Sequence, residues 1–139
     1  MANNPERVVI DTNLWISFLI NGRDYAKLDR LIQENKIKLI FSDELLVEFL
    51  EVVERPKFKK YFSKSDIQLL FENIQTQAEF IEVRKNVNIC RDKKDNFLLA
   101  LSEEGKADFL ITGDEDLLVL KKHKKTKIIR MSDFLRIKS

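Results

Sequence analysis

Hydrophobic positions along this chain alternate between strand-like runs and helix-like spacing. Val8-Val9-Ile10 is a short β-branched run that predicts a buried strand. Leu14, Trp15, Phe18 and Leu19 follow at helical spacing, and Tyr25, Leu28, Leu31 and Ile32 predict a second helix. Leu39-Ile40-Phe41 reads as strand two. Ser42 is placed as an N-cap, with Asp43 and Glu44 suiting the positive end of a helix dipole. That helix carries Leu45, Leu46, Phe49, Leu50 and Val53 on one face, and Pro56 stops it. Ser63 and Asp66 resemble a capping box ahead of Ile67, Leu70, Phe71 and Ile74. Residues 80–83 form a candidate third strand. Residues 95–104 read as a helix with Phe97, Leu98 and Leu101 inward and Gly105 as its stop. Phe109-Leu110-Ile111 is strand four, Leu117, Leu118 and Leu120 a short helix, and Ile128-Ile129 strand five. Ser132 is expected to cap a last short helix. This alternation predicts one α/β/α sandwich over residues 1–139, with a mostly parallel sheet of four or five strands. The spacing does not fix the strand order.

Composition narrows the chemistry such a scaffold can carry. The 139 residues include one Cys, one His and three Gly. A lone Cys90 excludes an internal disulfide and fits a reducing compartment. Cys90 and His123 are too few for a Cys/His zinc site, and His123 within a lysine run argues against a His-based triad. Gly22, Gly105 and Gly113 lack the spacing of a dinucleotide fingerprint or a P-loop. Carboxylates are left as the reactive groups. The polar start and the short apolar stretch at 14–20 predict no secretory signal and no membrane helix, hence a soluble cytoplasmic protein.

The near-neutral charge conceals a division. Residues 120–139 sum to +7 and residues 55–64 to +5, leaving −10 elsewhere against a total of +2. In the second run Arg55, Lys57, Lys59 and Lys60 interleave with Phe58, Tyr61 and Phe62, a pattern suited to phosphates and stacked bases. The plain alternative is a solvated surface. Trp15 is expected in the core, Cys90 as a structural thiol, and His123 in solvent.

In open α/β sheets, ligands bind beyond the carboxyl ends of the strands. Asp11 directly follows strand one. Asp114 follows strand four after Thr112 and Gly113, with Asp116 two further on. Asp95 starts the helix before strand four, and its plain alternative is an N-cap. On a helical wheel Glu48 lies about 40° from Val52, on the border of the buried face. Glu51 and Glu54 lie further out. Acids gathered in one cleft repel unless protonated or neutralised by a cation, and oxygen-only ligands select Mg²⁺ or Mn²⁺. Such an ion suits phosphodiester hydrolysis.

The segments VVIDTNLWISFL (8–19), SDELLVEFLEVVERPKF (42–58) and RDKKDNFLLALSEEGKADFLITGDEDLL (91–118) cover about two-fifths of the chain. In this set and order the sequence resembles the PIN-domain ribonucleases, most closely the branch assigned as toxins of bacterial toxin–antitoxin pairs. The resemblance implies metal ligation and catalysis by Asp11, Glu48, Asp95 and Asp114, with Asp116 in support. It implies orienting roles for Asn13, Thr112 and Asp92. Lys93 stands where proline is frequent, and Ser102 where alanine is usual. The family implies a Mg²⁺- or Mn²⁺-dependent endoribonuclease leaving 5′-phosphate and 3′-hydroxyl ends. Its partners would be an RNA substrate, a cognate antitoxin and a second copy in a homodimer. Two other readings differ in class. One is a PIN-like RNA-binding module without turnover. The other is a haloacid-dehalogenase-like phosphatase, disfavoured because Asn13 stands where that chemistry wants a second Asp.

Overall fold

Val8 and Val9 are both fully buried although adjacent strand residues point to opposite faces. Their strand must therefore be covered on both sides. In the computed structural model, which describes residues 4–20 and 22–138, that strand is β1 (Glu6–Ile10). Helices α1 (Thr12–Ile20) and α2 (Gly22–Gln33) lead to β2 (Ile37–Phe41) and α3 (Asp43–Val53). A 3₁₀ turn (Pro56–Phe58), α4 (Lys64–Gln77) and β3 (Glu79–Phe80) follow. The remainder is α5 (Lys93–Glu104), β4 (Phe109–Ile111), α6 (Glu115–Leu118), β5 (Lys122–His123), β6 (Thr126–Ile129) and α7 (Met131–Lys138).

The sheet has the order β3-β2-β1-β4-β6-β5 and is parallel except for the β5–β6 pair. The α/β expectation holds, with six strands rather than four or five. The additional one is β5, a two-residue edge strand too short and too lysine-rich to show in the hydrophobic pattern. The third strand is shorter than expected and ends at Phe80, because its partner β2 ends at Phe41, opposite Phe80; Val83 packs half-buried on the core outside the strand. α7 starts at Met131, so Ser132 lies inside it rather than capping it. The inward positions expected for the side chains of Phe18, Leu19 and Tyr25 fall outside the described residues.

Neighbouring residues of β2 show the layering. Phe41 meets the Trp15 ring of α1 at 5.9 Å, and Trp15 in turn meets Phe49 of α3 at 6.1 Å. Ile40, on the opposite face, points at Gly105 at the end of α5. The capping signals act as expected. Ser42 accepts from the Leu45 N–H at 3.0 Å, and Ser63 and Asp66 form a complete capping box. Gly105 ends α5 with φ −81°, so it is not needed there for left-handed backbone. Lys106 takes that role at φ 53°. Its N–H reaches the Glu103 carbonyl and the Ala107 N–H the Ser102 carbonyl, a Schellman closure. Gly105 supplies space, since a Cβ would lie 2.6 Å from Ile40 Cγ2.

Candidate metal centre

β1 and β4 are parallel neighbours, and the chain leaves β1 toward β2 on one side but returns as β4 on the other. This is a topological switch point, where open α/β sheets form their crevice. Asp11 and Asp114 follow the carboxyl ends of these two strands. The Asp11 N–H donates to the Ile111 carbonyl at 3.0 Å, which ties the two strand ends together. Thr112 bridges the acids: its hydroxyl donates to Asp11 Oδ2 at 2.9 Å and accepts from the Asp114 N–H at 3.0 Å. Asp114 caps α6 by accepting from the Asp116 N–H at 2.9 Å. Asn13 donates its backbone N–H to Asp11 Oδ1 at 3.3 Å, while its side chain is exposed.

α5 brings the third acid. Its N-cap is Asp92, which accepts from the Lys94 N–H at 2.9 Å. The N-cap alternative for Asp95 therefore fails: Asp95 sits in the first turn and is only 3% exposed. Its Oδ2 is buried with no hydrogen-bond partner. Burial, a carboxyl proton shared with Asp114, and the charges of Asp114, Asp92 and Asp11 push Asp95 up to about 7. Asp11 is also raised, chiefly by burial and against the opposing Thr112 hydrogen bond. A buried carboxylate whose nearest partner is another acid is costly. This cluster therefore has unspent demand for positive charge.

Glu48, on α3, is half-buried, whereas Glu51 and Glu54 are exposed. It faces the same space. A cavity of about 40 Å³ is lined by Asp11, Thr12, Glu48, Asp92, Lys94 and Asp95. Asp95, Asp114 and Asp116 can each offer an oxygen within 4.8 Å of one another. Asp95 belongs to both groups. Every donor is a carboxylate oxygen, a set that fits Mg²⁺ or Mn²⁺ rather than softer ions.

Two cations at this edge escaped the sequence reading. Lys94 Nζ lies 3.1 Å from Glu48 and the Arg91 guanidinium 3.2 Å from Asp116. Asn96 was missed too. Buried in α5, it accepts from the Ile89 and Cys90 N–H groups at 3.0 and 2.7 Å and donates to the Cys90 carbonyl at 2.9 Å. An Asn inside a predicted apolar helix, where it is a poor helix former, was the available signal. The Cys90 thiol is raised, by burial first and then by the facing acids, which disfavours its thiolate.

The basic runs fall elsewhere. Arg55, Lys57, Lys59 and Lys60 are exposed on and around the 3₁₀ turn beyond α3. The turn starts eight residues after Glu48, so these groups stand roughly a helical turn and a half or more from the acids. Of the interleaved aromatics only Tyr61 is exposed; Phe62 is buried and Phe58 half-buried. Lys124 and Lys125 turn the β5–β6 hairpin at the amino end of β6, the sheet edge opposite the acids. His123 is not in solvent: it is 7% exposed and 2.6 Å from Glu103. Its strand position buries it despite its lysine neighbours. No helix among the described residues is long and apolar enough to cross a membrane.

Residues 7–116 match the profile of the family described as PIN domain. The chain is also 36% identical over 121 residues to the uncharacterized protein MJ1680 of Methanocaldococcus jannaschii, covering 86% of this chain and 77% of that protein.

Proposed function

The chain belongs to the PIN-domain family, a nuclease-like family, and we propose that it is a metal-dependent endoribonuclease. One observation carries this reading: the Asp95 carboxyl is buried against the acid Asp114, and its Oδ2 has no hydrogen-bond donor. In this reading Asp11, Glu48, Asp95 and Asp114 hold the ion and Asp116 supports them. A bound Mg²⁺ or Mn²⁺ would supply Lewis-acid polarisation of the phosphate and a water of lowered pKa.

The chain's own groups then have distinct tasks. Thr112 fixes the Asp11 rotamer and the Asp114 backbone through one hydroxyl. Asp92 sets the start of α5 and so the depth of Asp95. Asp95 is held up at about 7, and a bound cation would favour its charged form. The Asn13 N–H steadies Asp11 Oδ1. Arg55, Lys57, Lys59 and Lys60 take phosphates of the bound RNA away from the cut. Water attacks in line and leaves a 5′-phosphate and a 3′-hydroxyl. We further read the protein as a cytoplasmic toxin of a type II pair, covered by a cognate antitoxin and assembled as a homodimer. The motif likeness of residues 8–19, 42–58 and 91–118 supports that finer assignment. The whole chain, 1–139, is read as one domain.

Lys94 on Glu48 and Arg91 on Asp116 favour a second reading, an RNA-binding module without turnover, because they already neutralise two acids. Cleavage of labelled RNA with Mn²⁺ separates the two. Wild-type protein should give products that EDTA abolishes. Asp11→Asn and Asp114→Asn should each lose more than the roughly 10- to 100-fold that loss of an outer-shell partner costs. Undiminished cleavage by both pure variants would sink the nuclease; binding without metal-dependent products would leave the module.

A further inference from the structure

We propose that the cavity between residues 85–88 and α5 seats the nucleotide adjoining the phosphodiester that is cut, in a single-stranded RNA. The proposal rests on the acid cluster being the cutting centre. The cavity holds about 390 Å³, within the roughly 300–1,000 Å³ of sites that take small ligands. One wall is a single face of α5, carrying Lys93, Phe97 and Ala100. The other is the extended segment carrying Lys85, Asn86 and Asn88. Phe97 lines this cavity and the acid cavity alike, so the two adjoin at this residue. From Lys93 to Ala100 the helix rises about 10 Å, giving a groove that runs away from the acids along α5.

The lining chemistry matches an unstacked nucleotide. Single-stranded RNA is read by aromatic stacking and by hydrogen bonds to base edges. Phe97 is half-buried and offers a ring. Asn86 and Asn88 are exposed, and neither side-chain amide has a partner among the described residues. Each amide presents two donors and an acceptor, the complement of an adenine edge. Lys93 supplies an exposed cation at the acid end; Lys85 at the far end is shared with Glu103 at 3.2 Å. Asn96 fixes residues 89 and 90 through three hydrogen bonds, which anchors the loop just beyond its lining residues before any ligand arrives. The acids bind the scissile phosphate's ion, and this groove reads its neighbour.

The test is the affinity of the full-length protein for a fluorescent oligo(A) RNA decamer in EDTA, across a salt series. Wild-type protein should bind. Asn86→Ala with Asn88→Ala should raise Kd about 5-fold or more. Lys93→Ala should lower the salt slope by ~0.7, the value for one single-strand phosphate contact. These positions are exposed, and unchanged circular dichroism verifies folding. Absence of wild-type binding, or variants that match wild type in both affinity and slope, would overturn the proposal. A parallel Mn²⁺ cleavage assay isolates the underlying reading. If wild type yields no metal-dependent product, the nuclease falls, while the affinity series still decides the cavity.

Discussion

At the scale of single residues, the site is defined by unmet charge. Asp95 keeps a substantial share of its protons near neutrality in the metal-free chain because burial and Asp114 raise it to about 7. Its folded value exceeds its unfolded one. The stability it lends is therefore complete below about pH 4 and is lost as pH rises through about 7. Two results are expected from thermal shift assays. Mn²⁺ should raise Tm more at pH 8 than at pH 5.5. Asp95→Asn should stabilise the metal-free chain at pH 8, by about 1–3 kcal/mol, and remove the Mn²⁺ response. Lys94 competes for Glu48, so Lys94→Ala should tighten Mn²⁺ binding about 5-fold or more, as titration calorimetry would show. A weaker response in Lys94→Ala would mean that the lysine assists rather than competes. Asp11, Asp95 and Asp114 could be located because each follows a strand or opens a helix, and Glu48 by its place on the border of the buried face of α3. Lys94 and Arg91 were not, since their partners are remote in sequence: Glu48 is 46 positions away from Lys94.

At the scale of elements, α5 links the site to the core. Its N-cap is Asp92 and its first turn carries Asp95, while its C-cap Gly105 lies against Ile40 of β2. Gly105→Ala should destabilise the fold by about 1–3 kcal/mol, because both Ile40 Cγ2 and the Leu101 carbonyl crowd the new Cβ. Urea unfolding measures this, and an unchanged midpoint would show that α5 can slide. Long periodic segments such as α3 and α4 were legible with their caps, since Ser42 and Ser63 act locally. Short elements were not. β5 has two residues among lysines, and pairing with β6, not propensity, makes it a strand and buries His123 against Glu103. Gly105 was identifiable as a stop, but its reason, close approach to β2, is tertiary.

At the scale of the whole molecule, sheet order turns scattered acids into one cluster. Asp11 and Asp114 are 103 positions apart in sequence, yet the β1–β4 pairing sets them side by side, and Thr112 joins them. Alternating strands and helices indicated the class and the edge; strand order, which depends on non-local packing, came only with the fold. The division of charge also takes a different form. Lys124 and Lys125 occupy the edge opposite the acids, while Arg91, Lys93 and Lys94 supply the positive charge near them. The central claim is that these carboxylates hold a divalent cation. A crystal soaked in Mn²⁺ and measured for anomalous scattering tests it most directly. The account predicts a peak at ordinary oxygen-coordination distance from Asp95 and Asp114. Density at other surface acids with none between these two would contradict it.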